Sequence, residues 1–179
     1  MAFSTPLIGK SGALLTAYNI DWSVGRIGSN TREDVMLVQA LFKIFYYELL
    51  GFNHDLDPPP GQTEVIVVDG YYGPVTQKHI THFQTQAIAL GQKVLPDGIF
   101  DPFREPGASS TLSKTRHALD LLNNGCANCC KEQGIDNYTN LPNRSDMPAQ
   151  LRNALKKVKK TASKYTYVAP QTVPSTGGA

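Results

Sequence analysis

Apolar positions recur at helical spacing in four stretches of the chain. The first runs from Arg32 to Leu50, where Val35, Val38, Phe42, Phe45 and Leu49 form one stripe. Leu37, Leu41 and Ile44 form a second stripe on another side, and a helix apolar on two sides needs cover on both. Asn30 or Thr31 is placed to cap this helix, Glu33 and Asp34 suit its first turn, and Gly51 is a favourable stop. The second helix begins at Gly73-Pro74, with proline at its first position. It carries Val75, His79, Ile80, Phe83, Ala87 and Leu90 on one face before Gly91. A third is expected from Leu112 to Leu122, closed by Asn124-Gly125. A fourth runs from Met147 to Ala162, capped by Ser145, with Leu151, Ala154, Leu155 and Val158 as its stripe.

Breakers separate these helices. Residues 1–30 are rich in Gly, Ser, Thr and Asn with short apolar clusters, the pattern of an extended arm docked through Trp22. Pro58-Pro59-Pro60-Gly61 requires a loop, Glu64–Val68 is a short β-type run, and Asp69-Gly70 and Asp97-Gly98 are turns. Tyr165–Ala179 has no period and is expected to be an extended tail.

The chain has 179 residues, 41% hydrophobic and 18% charged, a globular composition. Val35–Leu50 is its longest apolar stretch, and Gln39, Lys43 and Glu48 interrupt it, so no bilayer span is expected. Met1–Pro6 carries no positive charge and no cleavage site precedes Asp21, so no secretory signal is expected. The protein is then cytoplasmic or particle-associated, or it leaves by lysis or a dedicated machine. The net charge of +2 hides an asymmetry: residues 1–143 hold ten basic and fourteen acidic groups, residues 144–179 seven and one. Arg152, Lys156, Lys157, Lys159 and Lys160 give the fourth helix a basic side. That side either is solvated and complements the helix dipole, or meets an anionic wall polymer, membrane or nucleic acid. Nucleic acid fits least, because no aromatic stacking motif accompanies the charges.

Candidate chemistry is sparse. His79 and His82 stand one helical turn apart, but His79 lies in the apolar stripe, which suits a buried, hydrogen-bonded imidazole better than a metal ligand. Cys126-x-x-Cys129-Cys130 offers one pair at zinc spacing and no second pair; a metal, a disulfide and free thiols all remain open, with thiols in a reducing compartment favoured. No nucleophile elbow, phosphate-binding loop or metal-hydrolase signature is present. The expectation is a protein that is not an enzyme, with no cofactor and no metal.

One stretch carries a specific resemblance. Gly28, Asp34-Val35, Val38-Gln39 and Phe42 are followed by Asp69-Gly70-Tyr71-Tyr72-Gly73-Pro74-Val75-Thr76, then Ile80, Phe83-Gln84 and a closing Asp97-Gly98. This resembles the peptidoglycan-binding domain found beside many cell-wall hydrolases, a three-helix module that holds wall polymer without cutting it. The match runs from Gly25 to Pro102, under half the chain. The loop before Asp69 is longer than the family's, His79 stands where the family has a small residue, and Asp101 where its second turn has Gly.

The resemblance implies an all-α fold: a three-helix peptidoglycan-binding-like bundle with an N-terminal arm and a C-terminal helical extension. The divisions are 1–24 for the arm, 25–110 for the domain, 111–164 for the extension with its basic helix, and 165–179 for the tail. The implied function is non-catalytic binding of peptidoglycan or another cell-wall glycan. The alternative is a structural subunit of a phage tail or contractile-injection-type particle that reuses the fold and meets other protein subunits. Tyr71 and Tyr72, with Asp69, Thr76 and Gln84, are the candidate ligand-binding residues, since loop aromatics offer apolar faces with a polar tip. The same stretch suits architecture: Asp69 can bond backbone donors, Gly70 and Gly73 tolerate conformations that would strain other residues and so are needed for folding, and Thr76 and Gln84 can satisfy loop backbone.

Overall fold

Residues Phe3–Ile8 (β1) and Leu14–Asn19 (β2) pair antiparallel, from Phe3 opposite Asn19 to Ile8 opposite Leu14. The computed structural model describes residues 1–8, 14–49, 56–104, 107, 109–110 and 113–159. This hairpin corrects the expectation of an all-α bundle with an N-terminal arm. Among the described residues there are two small antiparallel sheets beside four α-helices, a mixed fold. The hairpin shows no clean alternation because Ala2, Phe3, Ser4 and Thr5 are buried in succession, as are Ala17, Tyr18, Asn19 and Ile20. A strand covered on both faces has no polar side to display. The outer edge of β1 is also occupied: Ser4 donates its N–H to Lys157 O and accepts from Lys159 N, both at 3.0 Å, so Val158 lies parallel beside it.

The second sheet is a clasp. Val24–Gly25 (β3) pairs with Ile99–Phe100 (β4), tying the approach to the first helix to the second Asp-Gly turn. No side chain fits at Gly25, where a Cβ would stand 2.3 Å from Gly98 O.

Arg32–Lys43 (α1) is buried on every side from Asp34 to Phe42. Thr31 is its N-cap, but its hydroxyl bonds the Asp34 carboxylate at 2.5 Å and no backbone amide. The helix continues as a π-helical turn over Ile44–Glu48, closed by Leu49 N–H to Ile44 O at 3.2 Å. The two-sided cover that its two stripes require comes from within the chain: α1 packs against β2, β3, Ala118–Gln133 (α3) and Ala149–Leu155 (α4). Arg144 fixes the π turn to the loop before α4 through Glu48 at 2.5 Å, and Lys43 reaches Asp146 at 2.8 Å.

Pro74–Ala89 (α2) starts at its proline as expected and buries Ile80, Phe83 and Ala87, while Val75 stays exposed. Phe42, Phe45, Tyr46, Phe83 and Phe100 form a contiguous aromatic core between α1 and α2, with His79 against it.

Two helices differ from expectation. The third runs over Ala118–Gln133, and Gly134, at φ 67°, ends it. Gly125 sits mid-helix because a Cβ there would lie 2.6 Å from Phe45 Cε2; it is a contact glycine and not a stop. Asn123 on α3 fastens the hairpin, accepting from Tyr18 N (2.9 Å) and Tyr138 Oη (2.7 Å) and donating to Tyr18 O (3.0 Å). The fourth helix ends at Leu155, with Leu151, Ala154 and Leu155 buried. Val158, expected in its stripe, is 60% exposed beside β1, so Lys157 and Lys159 do not lie on a helix. The expected stop at Gly51 and the tail 165–179 lie outside the described residues.

Candidate functional site

Gln39, buried on α1, builds the first Asp-Gly turn. Its Oε1 accepts from the backbone amides of Asp69 (3.1 Å) and Gly70 (2.9 Å). Its Nε2 donates to Asp69 Oδ1 (3.0 Å), Tyr71 O (3.1 Å) and Thr76 Oγ1 (3.1 Å). Asp69 Oδ1 also accepts from Tyr71 N at 2.9 Å, an Asx turn. Gly70 has φ 76°, and a Cβ there would meet Arg32 Cγ at 2.5 Å and Arg32 O at 2.9 Å. The arrangement repeats on α2. Gln84 accepts from Gly98 N (2.8 Å) and donates to Asp97 Oδ1 (3.0 Å) and Ile99 O (2.9 Å), and Ile99 N donates to Asp97 Oδ1 (3.0 Å).

Beside the first turn lies a groove of about 280 Å³. Gln39, Asp69 and Thr76 form its polar floor. One wall is Glu64–Val67, where Ile66 is buried while Val65 and Val67 point outward, Val67 67% exposed. The β-type run expected over Glu64–Val68 is not a strand here: the segment is irregular, with Ile66 buried between exposed Val65 and Val67. Among the described residues it joins neither sheet, and its backbone has no backbone partner. The opposite wall is Tyr71, Gly73 and Val75. Tyr71 is 70% exposed, with the Arg32 guanidinium 5.6 Å over its ring. Gly73 is extended at φ −146° and ψ −175°, and a Cβ there would meet nothing within 4 Å. Neither backbone nor packing requires glycine at this position; its lack of a side chain leaves the groove wall open.

Of the sequence-derived candidates, Asp69, Tyr71 and Thr76 come together at the groove. Tyr72 turns away: its hydroxyl donates to Gln77 Oε1, and burial pushes its phenol above the usual 10. Gln84 serves the second turn and lines a separate small recess with Asp97. Sequence reasoning did not assign Glu64, Val65, Val67 or Gly73 to a site; the alternation of Val65, Ile66 and Val67 is the signal that points to the wall.

The other candidates are occupied structurally. His79 is fully buried, with Nδ1 2.8 Å from Val75 O and Nε2 2.8 Å from Tyr47 Oη. Burial lowers its pKa below the ordinary 6.5. His82 faces elsewhere, 2.9 Å from Asp57 O. Cys126, Cys129 and Cys130 lie on α3 as free thiols, and burial raises all three above the ordinary 9.0. Among the described residues no three His, Cys, Asp or Glu side chains converge as a metal site, and no helix is long and apolar enough to cross a membrane. No family model, curated protein or solved structure matches the chain.

Proposed function

We propose that the protein binds peptidoglycan or a related cell-wall polymer without cutting it, through the groove beside the Asp69–Thr76 turn. The observation that carries this reading is an open groove whose floor joins the buried amide of Gln39 and hydroxyl of Thr76 to the half-buried carboxylate of Asp69, beneath exposed Tyr71. Such a surface offers hydrogen bonds and apolar contact to a polar polymer. The reading is non-catalytic because the Asp69 carboxylate is committed to the turn, its Oδ1 accepting from Gln39 Nε2 and from Tyr71 N. The site of action is the wall.

Use of the fold as an assembly subunit is the second reading. Trp22 and Ile27, both exposed around β3, favour it as a docking surface for a neighbouring protein. Cosedimentation with purified sacculi tests the first reading: the protein is expected to pellet with them and to leave their turbidity unchanged. Failure to pellet removes wall binding, and clearing of the suspension by the pure protein removes the non-catalytic claim.

A further inference from the structure

The two walls of the groove are unlike an ordinary sugar cleft. One is a run of backbone, Val65–Val68, without a backbone partner among the described residues and flanked by outward valines. The other is open at Gly73. Backbone amides left without backbone partners are a template for another chain of amides, because strand addition supplies main-chain hydrogen bonds and pockets for alternate side chains. Tyr71 offers a sugar ring a single aromatic platform, one face of which lies against Arg32. Charge points the same way. Glu64 and Asp69 line the groove and no Lys or Arg does, so the site favours a chain that carries an amine.

Resting on the wall-binding reading above, we infer that the groove takes the peptide arm of the wall polymer and not its glycan. The arm lies extended along Val65–Val68, its amides pairing with that backbone, with a side chain entering the space left by Gly73. The free amine of the arm's diamino residue faces Glu64.

The test compares intact sacculi with sacculi from which an amidase has removed the peptide arms. Binding to the stripped glycan is expected to be at least tenfold weaker, and a synthetic tetrapeptide arm with a free side-chain amine is expected to compete with intact sacculi. The same peptide with its side-chain amine acetylated should compete several-fold less well, a difference that Glu64→Gln abolishes. Gly73→Leu should weaken binding to intact sacculi at least tenfold while leaving Tm within a degree or two, which separates a filled groove from a damaged fold. Equal binding to stripped and intact sacculi overturns the peptide inference and leaves wall binding standing. Binding to neither overturns both. Unchanged binding by a folded Gly73→Leu protein overturns the groove as the site.

Discussion

Gln39 accepts a hydrogen bond from the backbone N–H of Gly70 at 2.9 Å, across thirty-one positions of sequence. The same amide group holds Asp69, Tyr71 and Thr76, so a single side chain on α1 sets the shape of the loop that begins α2. Gln39→Leu strands the Asp69 and Gly70 amides and leaves the Asp69 carboxylate only its bond from Tyr71 N, and an amide buried without a partner costs about 1–3 kcal/mol. Because the turn is partly solvated, a total loss of about 2–4 kcal/mol is expected in urea unfolding, with the m-value unchanged. Gln84→Leu, which frees fewer groups, should cost less. A loss below about 1 kcal/mol for Gln39→Leu would mean that the turn holds itself.

Gly70 and Gly73, three residues apart, should respond oppositely. Gly70→Ala forces a Cβ against Arg32 at a positive φ and is expected to cost more than about 1 kcal/mol. Gly73→Ser meets open space at the N-cap of α2, where serine is a better cap than glycine by a few tenths of a kcal/mol. Calorimetry of the two variants should show Tm falling for the first and unchanged or slightly raised for the second. The sequence alone suggests that Gly73 is needed for folding; the open space beside it removes that reason.

Gly125→Ala sets two effects against each other. Alanine favours a helix over glycine by about 1 kcal/mol, while overpacking costs about 1–3. With Phe45 Cε2 only 2.6 Å from the new methyl and its ring wedged against Tyr46 and Phe83, the clash should win, giving a net loss of about 1 kcal/mol. Phe45→Leu should make the same alanine neutral or stabilising, so the double-mutant cycle must show coupling.

His79 should make stability pH-dependent. Its folded pKa lies below the ordinary 6.5 because burial disfavours the imidazolium, so the folded state binds fewer protons than the unfolded one. Above pH 6.5 both states are neutral and the stability is fully present. As pH falls below that value the unfolded chain protonates first, and stability is lost by up to about 1.4 kcal/mol per pH unit until the folded pKa is passed. Denaturation midpoints measured between pH 8 and pH 5 should fall in this window, and His79→Gln should flatten the slope there.

The parts of the molecule legible in the sequence are those whose causes are local. The start of α2 follows from Pro74, its end from Gly91, and the burial of His79 from its place among Val75, Ile80 and Phe83. Asp69, Tyr71 and Thr76 were nameable as site residues because they sit within eight positions of one another. What was not legible has distant causes. The β1–β2 hairpin looks like an arm because Ala2–Thr5 and Ala17–Ile20 are buried in succession and show no alternation, a burial imposed partly by Asn123 and Val158. Gly125 looks like a helix stop because nothing nearby announces that Phe45 needs the space. The basic run after Leu155 continues a helical period, yet the chain abandons the helix to reach Ser4, since the open edge of β1 offers two backbone hydrogen bonds.

That contact between Ser4 and Val158 has a consequence for biosynthesis. The hairpin leaves the ribosome first, but Ser4 Oγ finds its acceptor, Leu155 O, 151 residues later, and Tyr18 waits 105 residues for Asn123. Until then the edge of β1 and the inner face of Ala17 and Tyr18 stand uncovered on a nascent chain. Closure of so long a loop carries an entropic cost, and it can begin only once Leu155 and Val158 have been made. Stalled or shortened chains would present a bare strand to one another, and their fate would be association in place of folding.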